Sequence, residues 1–242
     1  YYGVADIVGD SLGLAIDGDK VKTDKILMCG VHFMAETAKI MSPEKKVILP
    51  DFSAGCSLAE SITADDVRKL KKDNPGIPVV TYVNTSADVK AETDICCTSA
   101  NAVKIIESLN VDKVIFLPDE YLAKYVASKT NVKIISWNGK CEVHEQFTDK
   151  EIIELRKKYP NLKVVSHPEC PPDVIKASDY TGSTGSMIKY VKNTNAKDIF
   201  LVTECSMSDN IQIENPNINF VKPCNLCPCL LYTSDAADDD AC

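Results

Sequence analysis

A chain of 242 residues with 45% apolar content can bury a substantial core, and size alone would make it one or two ordinary domains. Its formal net charge of −8 leaves no basic field for a polyanion, which argues against a nucleic-acid partner. No stretch approaches ~20 uninterrupted apolar residues and no charged-then-apolar leader opens the chain, so neither a membrane span nor a signal peptide is expected and the expected location is cytoplasmic.

In chain order, short β-rich runs alternate with amphipathic ones. KILMCGV is followed by AETAKIM and KVILPD, then ADDVRKLKKD, VVTYV, DICCTS, NAVKIIESL, KVIFLPD and VKIISW. KEIIELRKK, KVVSHP, DYTGS, SMIKYVK, DIFLVTE and INFVKP complete the series. Thr63 and Thr148 are placed as helix caps, each with Asp or Glu in the next three residues. Continuous Val/Ile runs separated by helices describe parallel strands covered on both faces, an α/β fold. In such sheets a ligand sits outside the carboxyl ends of the strands.

The chain also repeats. DVRKLKKDNPGIPVV from Asp66 lies over EIIELRKKYPNLKVV from Glu151, so Leu70 matches Leu155, Pro75 matches Pro160 and Val80 matches Val165, each at an offset of 85. TDICCTSANAVKII lies over SDYTGSTGSMIKYV, and VIFLPD over DIFLVTE; ADIVGDSLGLA and the run from ILMCG form an earlier partial copy. Three small domains are therefore expected: residues 1–58 with 217–229, residues 59–142 and residues 143–216, followed by a tail at 230–242 without apolar period that falls outside fold reasoning.

Polar residues accumulate at the strand ends. Tyr82 and Asn84 in TYVNTSA are matched one period later by His167 and Glu169 in SHPECPP. Ser11, Ser99 and Ser183 with Thr184 recur at one strand end, each expected to open a helix whose amino terminus binds carboxylate or phosphate without Lys or Arg. Cys56, Cys141 and Cys227 complete the inventory, at spacings 141 − 56 = 85 and 227 − 141 = 86. Equivalent loops of three similar domains meet at one place only around a pseudo-threefold axis. Three thiolates there suit zinc with one open position or a four-iron four-sulfur cluster with one iron lacking a protein ligand. Ligands drawn from three domains match neither a zinc ribbon nor a ferredoxin, and the cluster is favoured.

DFSAGC, TYVNTSADVKA, CTSANAVKI, FLPD, GKCEVHEQF, SHPECPPDV, DYTGSTGSM and CNLCP together resemble the quinolinate synthase family, over about residues 4–228. The resemblance implies three pseudo-symmetric, Rossmann-like α/β/α domains around a pseudo-threefold axis, each giving one cysteine (Cys56, Cys141, Cys227) to a 4Fe-4S cluster. It implies condensation of iminoaspartate with dihydroxyacetone phosphate to quinolinate in NAD biosynthesis, with the open iron a Lewis acid in dehydration. L-aspartate oxidase or aspartate dehydrogenase would supply the iminoaspartate. By motif match Glu169 is the acid/base group, with Tyr82 and His167 beside it. Ser11, Asn84, Ser99, His144, Ser183 and Thr184 would hold substrate.

Simpler readings apply elsewhere. Cys29, Cys96, Cys97 and Cys205 read as small buried apolar groups, Cys170 as a packing or near-site thiol, and His32 as a helix-start residue. Cys224 and Cys229 could pair near the cluster. The family's upstream histidine and tyrosine would fall before Tyr1, so the chain is expected to be a fragment lacking its first strand. Two alternatives stand beside the synthase: a zinc-dependent lyase or aldolase on the same thiolates, and a truncated, non-catalytic metal- or anion-binding chain.

Overall fold

The computed structural model describes residues 4–221, which form an α/β fold of parallel strands flanked by helices. The chain divides between Thr98 and Ser99 into two compact units. Every strand run expected from the sequence forms a strand. Among the described residues no helix is long and apolar enough to cross a membrane.

The first unit runs α1 (Ser11–Lys20), β1 (Lys25–Leu27), α2 (His32–Met41), β2 (Lys46–Ile48), α3 (Ser57–Glu60), α4 (Ala64–Asp73), β3 (Val79–Tyr82), α5 (Ala87–Ala91) and β4 (Ile95–Cys97). Strand β1 pairs in parallel with β2, Lys25 opposite Lys46, and β3 with β4, Val80 opposite Ile95. Helix α2 turns Ala35 and Ala38 onto Ala15, Met28 and Leu49, small side chains that let helix and strands approach closely.

The second unit runs α6 (Ala102–Ser108), β5 (Lys113–Leu117), α7 (Glu120–Ala127), β6 (Lys133–Ser136), α8 (Glu142–Glu145), α9 (Asp149–Lys158), β7 (Lys163–Ser166), α10 (Pro172–Ala177), β8 (Tyr180–Thr181), α11 (Thr184–Asn193), β9 (Asp198–Val202), α12 (Ser206–Glu214) and β10 (Asn219–Phe220). Strands β5 and β6 pair in parallel, and a four-stranded parallel sheet has the order β10-β9-β7-β8. Its two faces carry separate cores, one of Val143, Phe147, Ile152, Val164, Val174 and Phe200, the other of Val165, Met187, Ile199 and Phe220. Alternate residues of β7 and β9 thus point to opposite faces, and each such side chain buried contributes about 1.5–3 kcal/mol.

The repeat is preserved bond for bond. Thr63 and Thr148 each close a capping box, with Asp66 and Glu151. Asp94 accepts the N–H of Val79 at 2.8 Å, and Asp179 that of Val164 at 2.9 Å. Lys71 bridges the Glu92 carbonyl and the Asp94 carboxylate; Arg156 bridges the Ala177 carbonyl and Asp179. Even the turns correspond, with Ile77 N–H on Asn74 O and Leu162 N–H on Tyr159 O, although only the first uses a left-handed residue, Gly76 at φ 78°. Cys56 and Cys141 both precede four-residue helices, and each carbonyl accepts the N–H four residues on, of Glu60 and Glu145, at 2.9 Å.

Candidate active site

The second unit gathers Ser99, Cys141, His144, His167 and Glu169, and each lies just beyond the carboxyl end of a parallel strand, His144 in the short helix α8 and the others outside any helix or strand. His167 and Glu169 follow β7; Cys141 and His144 follow β6. Two residues not anticipated from sequence join them: Asp119 after β5 and Thr203 after β9. Glu169 is 3% exposed, His167 4%, His144 7% and Asp119 0%, so nearly all of the charge here is withdrawn from water.

Glu169 is the hub. Its Oε2 lies 3.1 Å from His144 Nδ1 and its Oε1 3.8 Å from His167 Nδ1. The two imidazoles stack, 4.9 Å between centroids and 20° between planes. His144 Nε2 meets Thr203 Oγ1 at 3.0 Å, and His167 Nε2 meets Ser99 Oγ at 3.3 Å. His167 Nδ1 accepts the backbone N–H of Glu169 at 3.4 Å, so in the neutral ring the proton sits on Nε2 and points at Ser99.

The two rings are pushed in opposite directions. Burial pushes His167 down to about 4, its neighbour His144 adding to the effect and Glu169 opposing it. For His144 burial is also the largest influence and lowers it, but the Cys141 sulfur and the Glu169 carboxylate outweigh burial and push the imidazole well above its usual range. The directions favour the charged form of His144 beside Glu169 and the neutral form of the stacked His167. Asp119 is raised well above the ordinary carboxylate range by burial and then by the Glu169 charge, while it accepts the N–H groups of Leu122 at 2.6 Å and Cys141 at 3.3 Å.

Cys141, His144 and Glu169 offer a sulfur, a nitrogen and an oxygen all within 4.8 Å of one another, a donor set able to hold a metal ion. Ser183 is the N-cap residue of α11 and Thr184 its first residue; Ser183 Oγ is bonded to Ser186 Oγ at 3.1 Å. Ser11 begins α1, but its cap is Asp10, which accepts from Gly13 N at 2.7 Å. Ser99 does not open a helix as expected: α6 starts at Ala102 with Asn101 as its N-cap, and the Ser99 hydroxyl is engaged by His167.

In the first unit Tyr82 ends β3, 6% exposed, and two residues on Asn84 Oδ1 is buried without a hydrogen-bond partner among the described residues. Cys56 is partly exposed and lines a cavity of about 480 Å³ with His32, Glu36 and Glu60. His32 is the first residue of α2, as a helix-start reading requires. Cys227, Cys224 and Cys229 lie outside the described residues.

Among the other cysteines, Cys97, Cys170 and Cys205 are buried, and Cys170 packs in the core with its thiol pushed up to about 12 by burial. Cys29 and Cys96 are exposed, contrary to expectation. On β4 the alternation of a strand turns Cys97 inward and therefore Cys96 outward.

A family profile described as Quinolinate synthetase A protein matches residues 2–236. The chain is 58% identical over 94% of its length to the quinolinate synthase of Xylella fastidiosa (strain 9a5c), covering 67% of that protein. It is 60% identical to that of Sinorhizobium medicae and 58% to that of Agrobacterium fabrum, each over 94% of the chain and covering 64% and 66% of the relative. The chain thus spans about two thirds of the length of these relatives. Family profile and sequence identity agree with the motifs at the strand ends: the chain belongs to the quinolinate synthase family.

Proposed function

We propose that the chain carries out, within a quinolinate synthase, the condensation of iminoaspartate with dihydroxyacetone phosphate to quinolinate, with loss of phosphate and water. The observation that carries this reading is the buried Glu169, with one imidazole nitrogen on each side of its carboxyl at 3.1 and 3.8 Å. Enamine formation and dehydration need a group that takes and gives protons, and a carboxylate withdrawn from water beside a cation and a neutral donor is suited to that. His167, its Nε2 proton directed at Ser99, acts as a hydrogen-bond donor to the intermediate rather than as a base. His144 holds Glu169 in place and charged. By motif match Tyr82 and Asn84 belong to the same reading, and the unpartnered Asn84 Oδ1 suits a substrate donor. Ser11, Ser99, Ser183 and Thr184 receive carboxylate and phosphate.

The cofactor of this reading is a 4Fe-4S cluster on Cys56, Cys141 and Cys227, one from each of three repeated domains (1–58 with 217–229, 59–142, 143–216). The donors fit: Cys56 and Cys141 stand at equivalent places in the repeat and are both partly exposed, unlike Cys97, Cys170 and Cys205. When bound, the cluster supplies a Lewis acid at its open iron. Reduced thiols suit a cytoplasmic location, with aspartate oxidase or dehydrogenase supplying iminoaspartate.

The test is anaerobic purification of the full chain with iron and sulfide analysis, followed by two variants. Glu169→Gln should keep the cluster and lose turnover by about 10² or more. Cys141→Ser should lose the cluster itself. A colourless, zinc-loaded parent protein, or a Glu169→Gln variant with normal turnover, would overturn the assignment.

A further inference from the structure

We propose that Cys141, His144 and Glu169 form a mononuclear site for one divalent ion of the zinc class, separate from a centre built on cysteines alone and exclusive of it, because Cys141 would serve both. Sulfur, nitrogen and oxygen donors within 4.8 Å would draw together by up to about an ångström to hold one ion at about 2.0–2.3 Å, with the fourth position open to water.

A second observation points to a ligand. His144 Nδ1 is buried with no partner in good hydrogen-bond geometry among the described residues, and near it lie the other two donors of the set, Glu169 Oε2 at 3.1 Å and the Cys141 sulfur. The opposite ring nitrogen meets Thr203 Oγ1 at 3.0 Å, the outer contact that would keep the proton on Nε2 and turn Nδ1 to an ion. Asp119 accepts the N–H of Cys141 at 3.3 Å and so steadies the third ligand from behind. Cys141 is partly exposed, which gives an ion its way in. Binding forms three coordinate bonds, any proton on the ligating atoms passes to solvent, and no electron moves. The function is that of a resting or blocked state, in which a protein without its cluster takes up one ion and must release it before a cluster can be built on Cys141.

The inference does not depend on the cluster reading and is tested on cluster-free, reduced full chain titrated with cobalt(II), then with zinc. One equivalent of cobalt should bind with a thiolate-to-metal charge-transfer band and the intense visible bands of a four-coordinate ion, and zinc should displace it. Glu169→Gln, which preserves volume and burial, and His144→Ala should each weaken binding at least tenfold. Cys141→Ser should remove the thiolate band. Cys56→Ser should leave affinity unchanged. The inference is overturned if the parent shows no thiolate band, or if Cys56→Ser weakens binding as Cys141→Ser does while Glu169→Gln does not.

Discussion

The carboxylate of Asp119 accepts the backbone N–H of Cys141 at 3.3 Å while its other oxygen caps α7 through Leu122 N at 2.6 Å, so one buried acid fixes both a helix start and a cysteine loop. The backbone reinforces this, since Glu120 N–H donates to Gly139 O at 2.8 Å. Asp119→Asn keeps a good cap but turns an amide N–H₂ toward Cys141 N–H. It should melt within about 1 kcal/mol of the parent, while hydrogen exchange at the Cys141 amide accelerates tenfold or more. Asp119→Ala loses the cap as well and should cost about 2–4 kcal/mol. Unchanged exchange at Cys141 in the Asn variant would mean that the Glu120–Gly139 contact alone holds the loop.

The repeat makes a prediction about which substitutions are interchangeable. Lys71 and Arg156 each tie a carbonyl and a carboxylate at the same place in successive copies. Arg156→Lys should therefore change stability by less than ~0.5 kcal/mol, whereas Arg156→Met should cost about 1 kcal/mol, the scale of a partly exposed pair with one added acceptor. Denaturant midpoints compare the two directly. A loss in Arg156→Lys equal to that in Arg156→Met would show that the guanidinium fork matters and that the copies are not energetically equivalent.

Asp179 should be more costly than its partner, because its Oδ2 satisfies the N–H of Val164 as well as Arg156. Burial raises its carboxyl, but the Val164 N–H, Lys163 and Arg156 together hold it below the usual carboxylate range. A depressed carboxyl contributes stability that is complete above the unfolded value and is lost as pH falls through the folded one. Asp179→Asn should accordingly be less stable than the parent at neutral pH and converge on it under strong acid. A constant difference across that range would assign the effect to geometry rather than charge.

The central strands β3, β5, β7 and β9 were legible because a strand buried on both faces needs an unbroken apolar run, as in KVIFL of β5, and both capping boxes were legible because Thr and an acid three residues on have few other uses. Helices of four to six residues, such as α3, α8 and α10, left no trace, since one turn is too short for a 3.6-residue period to show. Within the site, Glu169, His167 and His144 were picked out by motif, yet their order around Glu169 depends on distances between loops far apart in the chain. Asp119 and Thr203 were missed for a related reason. An Asp before a helix looks like an ordinary cap, and only its complete burial and its bond to Cys141 set this one apart.

Lys90 offers a test of electrostatics away from the site. Its ammonium donates to the Thr85 carbonyl and lies 5.7 Å from the centre of the Phe33 ring. Burial pushes it down to about 8, with Cys96 and Glu36 only partly opposing. Its unfolded counterpart titrates near ~10.4, so between that value and about 8 the unfolded chain binds more protons and stability rises with pH; below about 8 the whole penalty remains. Lys90→Met keeps an unbranched stem over Phe33 and removes the charge, at the loss of one hydrogen bond to Thr85. At pH 7 it should be more stable than the parent by on the order of 1 kcal/mol, and that advantage should be gone by about pH 10, where the folded amine has lost its proton while the unfolded one still largely holds it. Chemical denaturation at the two pH values decides it: a methionine variant weaker than the parent at pH 7 would show that the Thr85 bond outweighs the cost of burying the ammonium.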